Sequence, residues 1–402
     1  MINDRMFKLG SARSEIRELF EYGKKRKEQI GEENVFDFSL GNPSVPCPSE
    51  VNEAIIKLVN DENSVELHGY TSAQGDAATR EAIAEYISST HTFEICKDDL
   101  YLTVGAAAAL TCSLSAVVCP GEEVILLAPY FPEYKVFAEN AGAHVKVVMC
   151  NTKTFEPDVN AIAEAISERT AAIIINSPNN PSGAVYSEDS IKEIASVLSR
   201  KSCELKKSIY LIADEPYREL VYDGRSVPFI PNYYDNTLVC YSYSKSLSIP
   251  GERIGYVLVS PRAKEAKEVY AAVCGAGRSL GYVCAPSLLQ KLLPSCLGLT
   301  SDMSVYNENR QLLLTKLTDY GYTVVKPQGA FYLFIKSPIA DAKEFSEIAK
   351  RFEILLVASD SFGCPGYVRV SYCVNTTRIE KALPAFLAMA EYLGLTEKKN
   401  EK

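Results

Sequence analysis

Two kinds of hydrophobic pattern alternate along most of this chain. In "SARSEIRELFEYGKKRKEQI", residues 11–30, Ile16, Leu19, Phe20 and Gly23 fall on one face with charges elsewhere, which predicts an amphipathic helix. "NVFDFSLGNPS" predicts a short strand ending in a Gly-Asn-Pro turn, and "SEVNEAIIKLVND" a helix with Ser49 at its N-cap. The second pattern then takes over. "LYLTVG", "EEVILLAP", "HVKVVMC", "TAAIIINSP", "SIYLIADEP", "TLVCYSYS" and "RIGYVLVS" read as strands, the first six mostly as continuous apolar runs. Continuous runs are expected of strands covered on both faces, whereas half-exposed strands alternate. Helical segments such as "PDVNAIAEAISE" and "SEDSIKEIASVLSR" separate several of them. That order predicts an α/β unit, residues 48–297, around a mostly parallel seven-stranded sheet.

From about Gly298 the pattern changes. "YNENRQLLLTKLTDYG" reads as a helix, "YTVVKPQGAFYLFIKS" as two strands around a turn, "YVRVSYCV" as a strand and "RIEKALPAFLAMAEYLG" as a closing helix before a charged, solvated tail. This predicts a smaller α+β domain formed by residues 298–402 together with 1–47. A chain of 402 residues also exceeds what one core usually supports.

Composition narrows the chemistry. The net charge is −9 and no basic block lies near aromatic residues, which argues against nucleic-acid binding. The opening "MINDRMFKLG" has no secretory character, and the most apolar stretch, "AAAALTCSLSAVVC", is too short to span a bilayer. The twelve cysteines are scattered without a C-x-x-C pair, as expected of reduced, mostly buried thiols in a cytoplasmic protein not bound to membranes. The three histidines, His68, His91 and His144, stand at no metal-ligand spacing, and a Ser-His-Asp triad is poorly supplied.

In parallel α/β sheets, functional groups collect beyond the carboxyl ends of strands. At those ends stand "GAAAAL", "YFPEY", "PNNPSG", "DEPY" and "SYSK". Gly105, Ala106 and Ala107 form a small-residue turn into a helix, which serves either tight strand–helix packing or an anion on exposed N–H groups. Asp214 follows five apolar residues and, if buried, needs a cation or an N–H partner; a loop aspartate is the plainer alternative. Asn180 lies in a stretch that is turn-like by composition alone, and Tyr217 is compatible with simple packing. Lys245, taken singly, is a solvated loop charge. Beside Ser242, with Arg253 eight residues on, it also suits an anion. Taken together, these groups suit one ligand with a phosphate, a ring nitrogen needing a carboxylate, and a carbonyl that captures a lysine. Pyridoxal phosphate (PLP) has all three.

"SYSKSLSIPGERIG" resembles the lysine signature of the class I/II aminotransferases, the fold-type-I family of PLP enzymes. The resemblance continues in order through "LGNPS", "HGYTSAQGDAATREAIAEY", "TVGAAAAL", "APYFPEY", "NSPNNPSG", "IADEPYREL" and "GYVRVSY", nearly the whole chain. It implies that Lys245 carries the cofactor, that Asp214 holds the pyridine nitrogen protonated, and that Asn180 and Tyr217 hydrogen-bond the ring's phenolic oxygen. It implies that Ser242, Arg253 and the N–H groups of Ala106 and Ala107 grip the phosphate, while Phe131 stacks on the ring. Arg369 would bind the substrate α-carboxylate, Gly41 would let the backbone approach the substrate, and Tyr70 would reach the cofactor phosphate of a second subunit, implying a homodimer. Arg278, in "GAGRSLGYVCAPSLLQ", roughly matches a segment that supplies a distal-carboxylate arginine in aspartate-specific relatives; a surface arginine is the alternative. The chain departs from many relatives in having no Trp, so that Phe131 takes the stacking position, and in lacking hydroxyl residues in "GAAAA".

The implied activity is transfer of an amino group from an L-amino acid to a 2-oxo acid in two half-reactions, with ping-pong kinetics. A PLP-dependent carbon–sulfur β-lyase uses the same motifs, and a PLP-binding regulator is a third reading.

Overall fold

The computed structural model describes residues 2–11 and 15–396; residues 12–14 of the first predicted helix and most of the charged tail lie outside the described residues. Strands are numbered in chain order: β1 (Phe36–Asp37), β2 (Leu100–Thr103), β3 (Glu123–Ala128), β4 (His144–Met149), β5 (Thr170–Asn176), β6 (Tyr210–Asp214), β7 (Thr237–Ser242), β8 (Gly255–Val259), β9 (Thr323–Val325), β10 (Tyr332–Lys336), β11 (Ile354–Leu355), β12 (Val357–Ala358) and β13 (Tyr367–Ser371).

The seven predicted strands form one seven-stranded sheet in the order β2-β8-β7-β6-β5-β3-β4. Pairing is parallel from β7 through β4, while β8 runs antiparallel to both β7 and β2. Neighbouring residues of one strand serve opposite faces. Leu211 and Ala213 pack with Ile83, Ile87, Ile191 and Leu198, whereas Ile212 packs with Leu110, Leu114, Val269 and Val273. Helices therefore cover both faces, which is why these strands are continuously apolar. Each Leu, Ile or Val among them contributes about 1.5–3 kcal/mol by leaving water. β4 is the exception. At the sheet's edge, most of its residues are exposed or half-exposed, so its apolar run does not reflect two-sided burial.

The second sheet, β12-β13-β10-β9, is antiparallel and packs against helices Met303–Asp319 and Thr376–Tyr392. β1 pairs in parallel with β11, so the N-terminal segment joins the C-terminal part of the chain. Helix Glu15–Ile30 packs Leu19 beside Leu355, Val357 and Phe362. Phe20, expected on the packed face, is exposed instead. Helix Ser49–Asp61 starts one residue earlier than expected, with Pro48 rather than Ser49 at the N-cap. The hydrophobic clusters interlock: Tyr217, Leu220 and Tyr222 belong to the one around β10, while Phe334 of β10 belongs to that of the large sheet.

All twelve cysteines are free, but half rather than most are fully buried, and Cys96, Cys119 and Cys203 are exposed. Among the described residues no helix is long and apolar enough to cross a membrane.

Candidate active site

The carboxyl ends of β5, β6 and β7, the turn after β3 and the helix after β2 converge on one cavity of about 560 Å³. β5 ends in Asn176, β6 in Asp214 and β7 in Ser242, each a polar residue closing an apolar strand.

Asp214 is 5% exposed. Its Oδ2 accepts a hydrogen bond from the Tyr134 hydroxyl, and its Oδ1 has no partner among the described residues. Burial pushes the carboxyl up to about 7; the Tyr134 bond opposes this, and the neighbouring Glu215 adds to it. Asn176 holds the strand end, donating from Nδ2 to the Asp214 carbonyl at 2.9 Å. It also fixes the following turn, accepting from the Asn180 N–H at 2.7 Å.

Lys245 lies on a single helical turn, Tyr243–Ser246, directly after β7. Its Nζ donates to the Gly41 carbonyl at 2.7 Å and sits 5.4 Å from the Phe331 ring centroid. The side chain keeps some surface open to the cavity, but protein surrounds its amine. That desolvation lowers its pKa to about 8; Arg253 and Arg369 lower it further, and Cys373 opposes. Gly41 is required by space: a Cβ there would lie 2.1 Å from the Tyr332 hydroxyl.

The cavity has two cationic ends. At one, Gly105 takes φ +88° and caps helix Ala106–Val117, whose first N–H groups have no partner within the helix. A Cβ on Gly105 would come within 2.5 Å of an Arg253 guanidinium nitrogen, so the turn and the arginine share one small space. Arg253 donates to the Pro250 carbonyl at 2.9 Å and the Val104 carbonyl at 3.2 Å. The hydroxyls of Ser242 and Ser244 lie 2.7 Å apart, with Ser244 3.5 Å from Arg253. N–H groups, hydroxyls and a guanidinium thus form an anion cradle.

At the other end Arg369 projects from β13, 2% exposed. It donates to Asn180 Oδ1 at 3.0 Å and to the Ser39 carbonyl at 2.5 Å, and its Nε has no partner among the described residues. Burial lowers its pKa, and the groups that offset this are Tyr332, Tyr217 and Cys373 rather than a carboxylate. Tyr332 and Phe362 stack beneath the guanidinium at 4.7 and 5.1 Å. The Tyr217 hydroxyl is 2.8 Å from that of Tyr332. Phe131 lines the cavity, its ring edge-on to Tyr134.

The fold therefore brings Gly41, Ala106, Ala107, Phe131, Asn180, Asp214, Tyr217, Ser242, Lys245, Arg253 and Arg369 to one cavity, with Gly105 immediately behind it. Two candidates stand apart. Tyr70 is 91% exposed, and Arg278 is exposed near the end of helix Ala266–Ser279; neither lines the cavity. Tyr134, Asn176 and Tyr332 were not anticipated, nor was the approach of Ile16 and Arg17 from the N-terminal helix. Asn176 had a signal in ending an apolar run, whereas Tyr134 is one of three aromatic residues in "YFPEY" and Tyr332 looks like any strand residue.

The family described as aminotransferase class I and II matches residues 33–386. The chain is 56% identical to an aminotransferase from Eubacterium rectale of known crystal structure, with TM-score 0.96 over 98% of this chain and 99% of that one. It is 31% identical to the aspartate aminotransferase of Pyrococcus horikoshii, covering 92% of this chain and 95% of the relative. It is 28% identical to aromatic-amino-acid aminotransferase 2 of Thermococcus litoralis, covering 92% and 94%.

Proposed function

The chain belongs to the class I and II aminotransferases, enzymes that use PLP, and from that premise we propose how its own residues divide the work. The observation that carries the assignment is the pairing, in one cavity, of a buried carboxylate with an unpartnered oxygen and a lysine amine of lowered pKa. The unpartnered Asp214 oxygen suits a protonated ring nitrogen, and the cradle of Gly105, Arg253 and the two serines suits a phosphate.

In this reading Lys245 is the covalent attachment point. Ser242, Arg253 and the N–H groups of Ala106 and Ala107 hold the phosphate, and Phe131 covers one ring face. Asn180 gives its Oδ1 to Arg369, which leaves its amide nitrogen, beside the Tyr217 hydroxyl, to donate to the ring's phenolic oxygen. The bound cofactor supplies a ring that takes up the electron pair left when the substrate's Cα–H bond breaks. Asp214, ionised, keeps the ring nitrogen protonated. Arg369 grips the substrate α-carboxylate as a bidentate pair, using the Nε that is otherwise without a partner. Gly41, having no Cβ, lets the Tyr332 hydroxyl sit against the backbone where the substrate would approach. The released Lys245 amine, partly neutral near pH 7.5, takes the Cα proton as general base. The overall reaction moves an amino group from an amino acid to a 2-oxo acid in two half-reactions.

The same reading makes the enzyme a cytoplasmic homodimer. Tyr70 shares the exposed surface with Val65, Val59, Ile56 and Val283, at 53–91% exposure, on or beside the packed helices Ser49–Asp61, Ser64–His68 and Ser287–Leu292. An apolar surface of this kind suits a second copy, to whose cofactor phosphate Tyr70 would donate.

The test is covalent attachment. Purified protein loaded with PLP should be yellow, and Lys245→Ala should lose that absorption on dialysis. Retention of the lysine-bound absorption in the variant would overturn the assignment.

A further inference from the structure

Asp214 presents a problem of physical chemistry. It is a buried carboxylate for which, among the described residues, the neighbouring ionisable groups provide no cation. Among the described residues the groups that face it are Tyr134 from helix Glu133–Asn140, Glu215 next to it in sequence, Tyr217 from the turn after β6, and Cys240 from β7. Glu215 disfavours its charge, and Tyr217 and Cys240 supply no positive charge. Desolvation alone would leave it a neutral acid at physiological pH. Among the described residues the Tyr134 hydrogen bond is the interaction that favours the charged form.

We infer that Tyr134 is a positioning residue that divides the two Asp214 oxygens, holding Oδ2 on its phenol so that an ionised Oδ1 is left facing the cofactor's ring nitrogen. The inference rests on the role of Asp214 proposed above. The geometry supports it in three ways. Tyr134 is itself buried, at 2% exposure, so its O–H has little access to water. One Asp214 oxygen is taken and the other has no partner. Phe131 and Tyr134 stand three residues apart around Pro132, their ring centroids 5.7 Å apart and planes at 83°. One turn therefore supplies both the ring-covering side chain and the phenol that orients the carboxylate from behind. The cost is conformational: fixing Tyr134 fixes the whole "FPEY" turn.

The experiment titrates Asp214 directly in cofactor-free protein by carboxyl 13C NMR, with Asp214→Asn assigning the signal. In Tyr134→Phe the midpoint should rise by about one unit or more from about 7, the size expected on losing a hydrogen bond to a charged group. Site-specific 3-fluorotyrosine at position 134, a more acidic phenol that preserves the fold, should lower it. PLP itself, used as the probe at pH 7.5, should bind Tyr134→Phe about tenfold more weakly, with the difference shrinking as pH is raised and Asp214 ionises. An unchanged midpoint in both variants would overturn the inference. Asp214→Asn binding and turning over like the wild type would instead overturn the role of Asp214, so the two failures are distinguishable. A merely structural Tyr134 would alter stability in the Phe variant without moving the midpoint in opposite directions.

Discussion

The Lys245 amine offers a test of the site before any substrate is added. Its pKa lies at about 8 in the folded protein against 10.5 for an ordinary lysine. At pH 7.5 about a quarter of the amine is then neutral, compared with about one part in a thousand without the shift. The same shift has a consequence for folding. Between about pH 8 and 10.5 the unfolded chain binds the proton and the folded chain does not, so stability contributed by this group rises with pH through that window. Below pH 8 both states are protonated and the folded protein bears the full cost of the buried charge, about 3 kcal/mol. Lys245→Met keeps the length of the side chain and removes the charge. Cofactor-free Lys245→Met should therefore be more stable than cofactor-free wild type by about 3 kcal/mol at pH 7, with the difference vanishing by about pH 10.5. Urea unfolding of both proteins at pH 7, 9 and 10.5 measures it. In parallel, the rate of PLP uptake by cofactor-free wild type should rise with pH to a plateau, half-maximal near 8. A stability difference independent of pH, or uptake half-maximal at 10 or above, would refute the reasoning.

Two further outcomes test the rest of the site. Arg369→Lys keeps the charge but loses the planar fork, and should lower kcat/KM by roughly ten- to hundredfold for every α-amino acid donor, corresponding to about 1.5–3 kcal/mol; a loss confined to one donor would mean that Arg369 reads side chains instead. Sedimentation should give a dimer of the 44.3 kDa chain, with Tyr70→Phe still dimeric but weaker in PLP affinity; a fully active monomer would remove Tyr70 from the site.

The large sheet was legible in the sequence because its residues solve a local problem. A strand such as "TAAIIIN" must be apolar throughout when helices cover both faces, and β5 is buried along its whole length. The same signal misled at β4, where a mostly apolar run interrupted by His144 and Lys146 lies at an exposed edge, because a run of Val and Met does not record how many neighbours will cover it. Resemblance to relatives carried what periodicity does not: Gly41, Arg369 and Phe131 have no local pattern that marks them. Tyr134 escaped both. Its role depends on an approach to Asp214 across 80 residues of chain, and nothing in "YFPEY" says which aromatic turns towards the sheet. Lys245 and Gly41 meet across 204 residues and Arg369 and Asn180 across 189, distances at which spacing in sequence is silent.

Those long-range meetings explain why the site holds together before it is filled. The carbonyls of Ser39, Leu40 and Gly41, three in a row, accept from Arg369, Cys373 and Lys245. One extended segment of the N-terminal region thus steadies the anion-binding arginine and the reactive amine at once. It does so with neutral acceptors, which stabilise a cation without cancelling it. The charges lining the cavity support this reading, for among the described residues none of Lys245, Arg253 and Arg369 is ion-paired to a carboxylate, and each donates to neutral oxygens instead. Positive charge held there without a carboxylate partner, as at the buried Arg369, opposes folding. A phosphate at the Gly105 end and a carboxylate at the Arg369 end would each relieve it, so both should stabilise the protein by mass action. Had carboxylates stood where those carbonyls stand, Lys245 would hold its proton and Arg369 its partner, and neither would be available to a ligand.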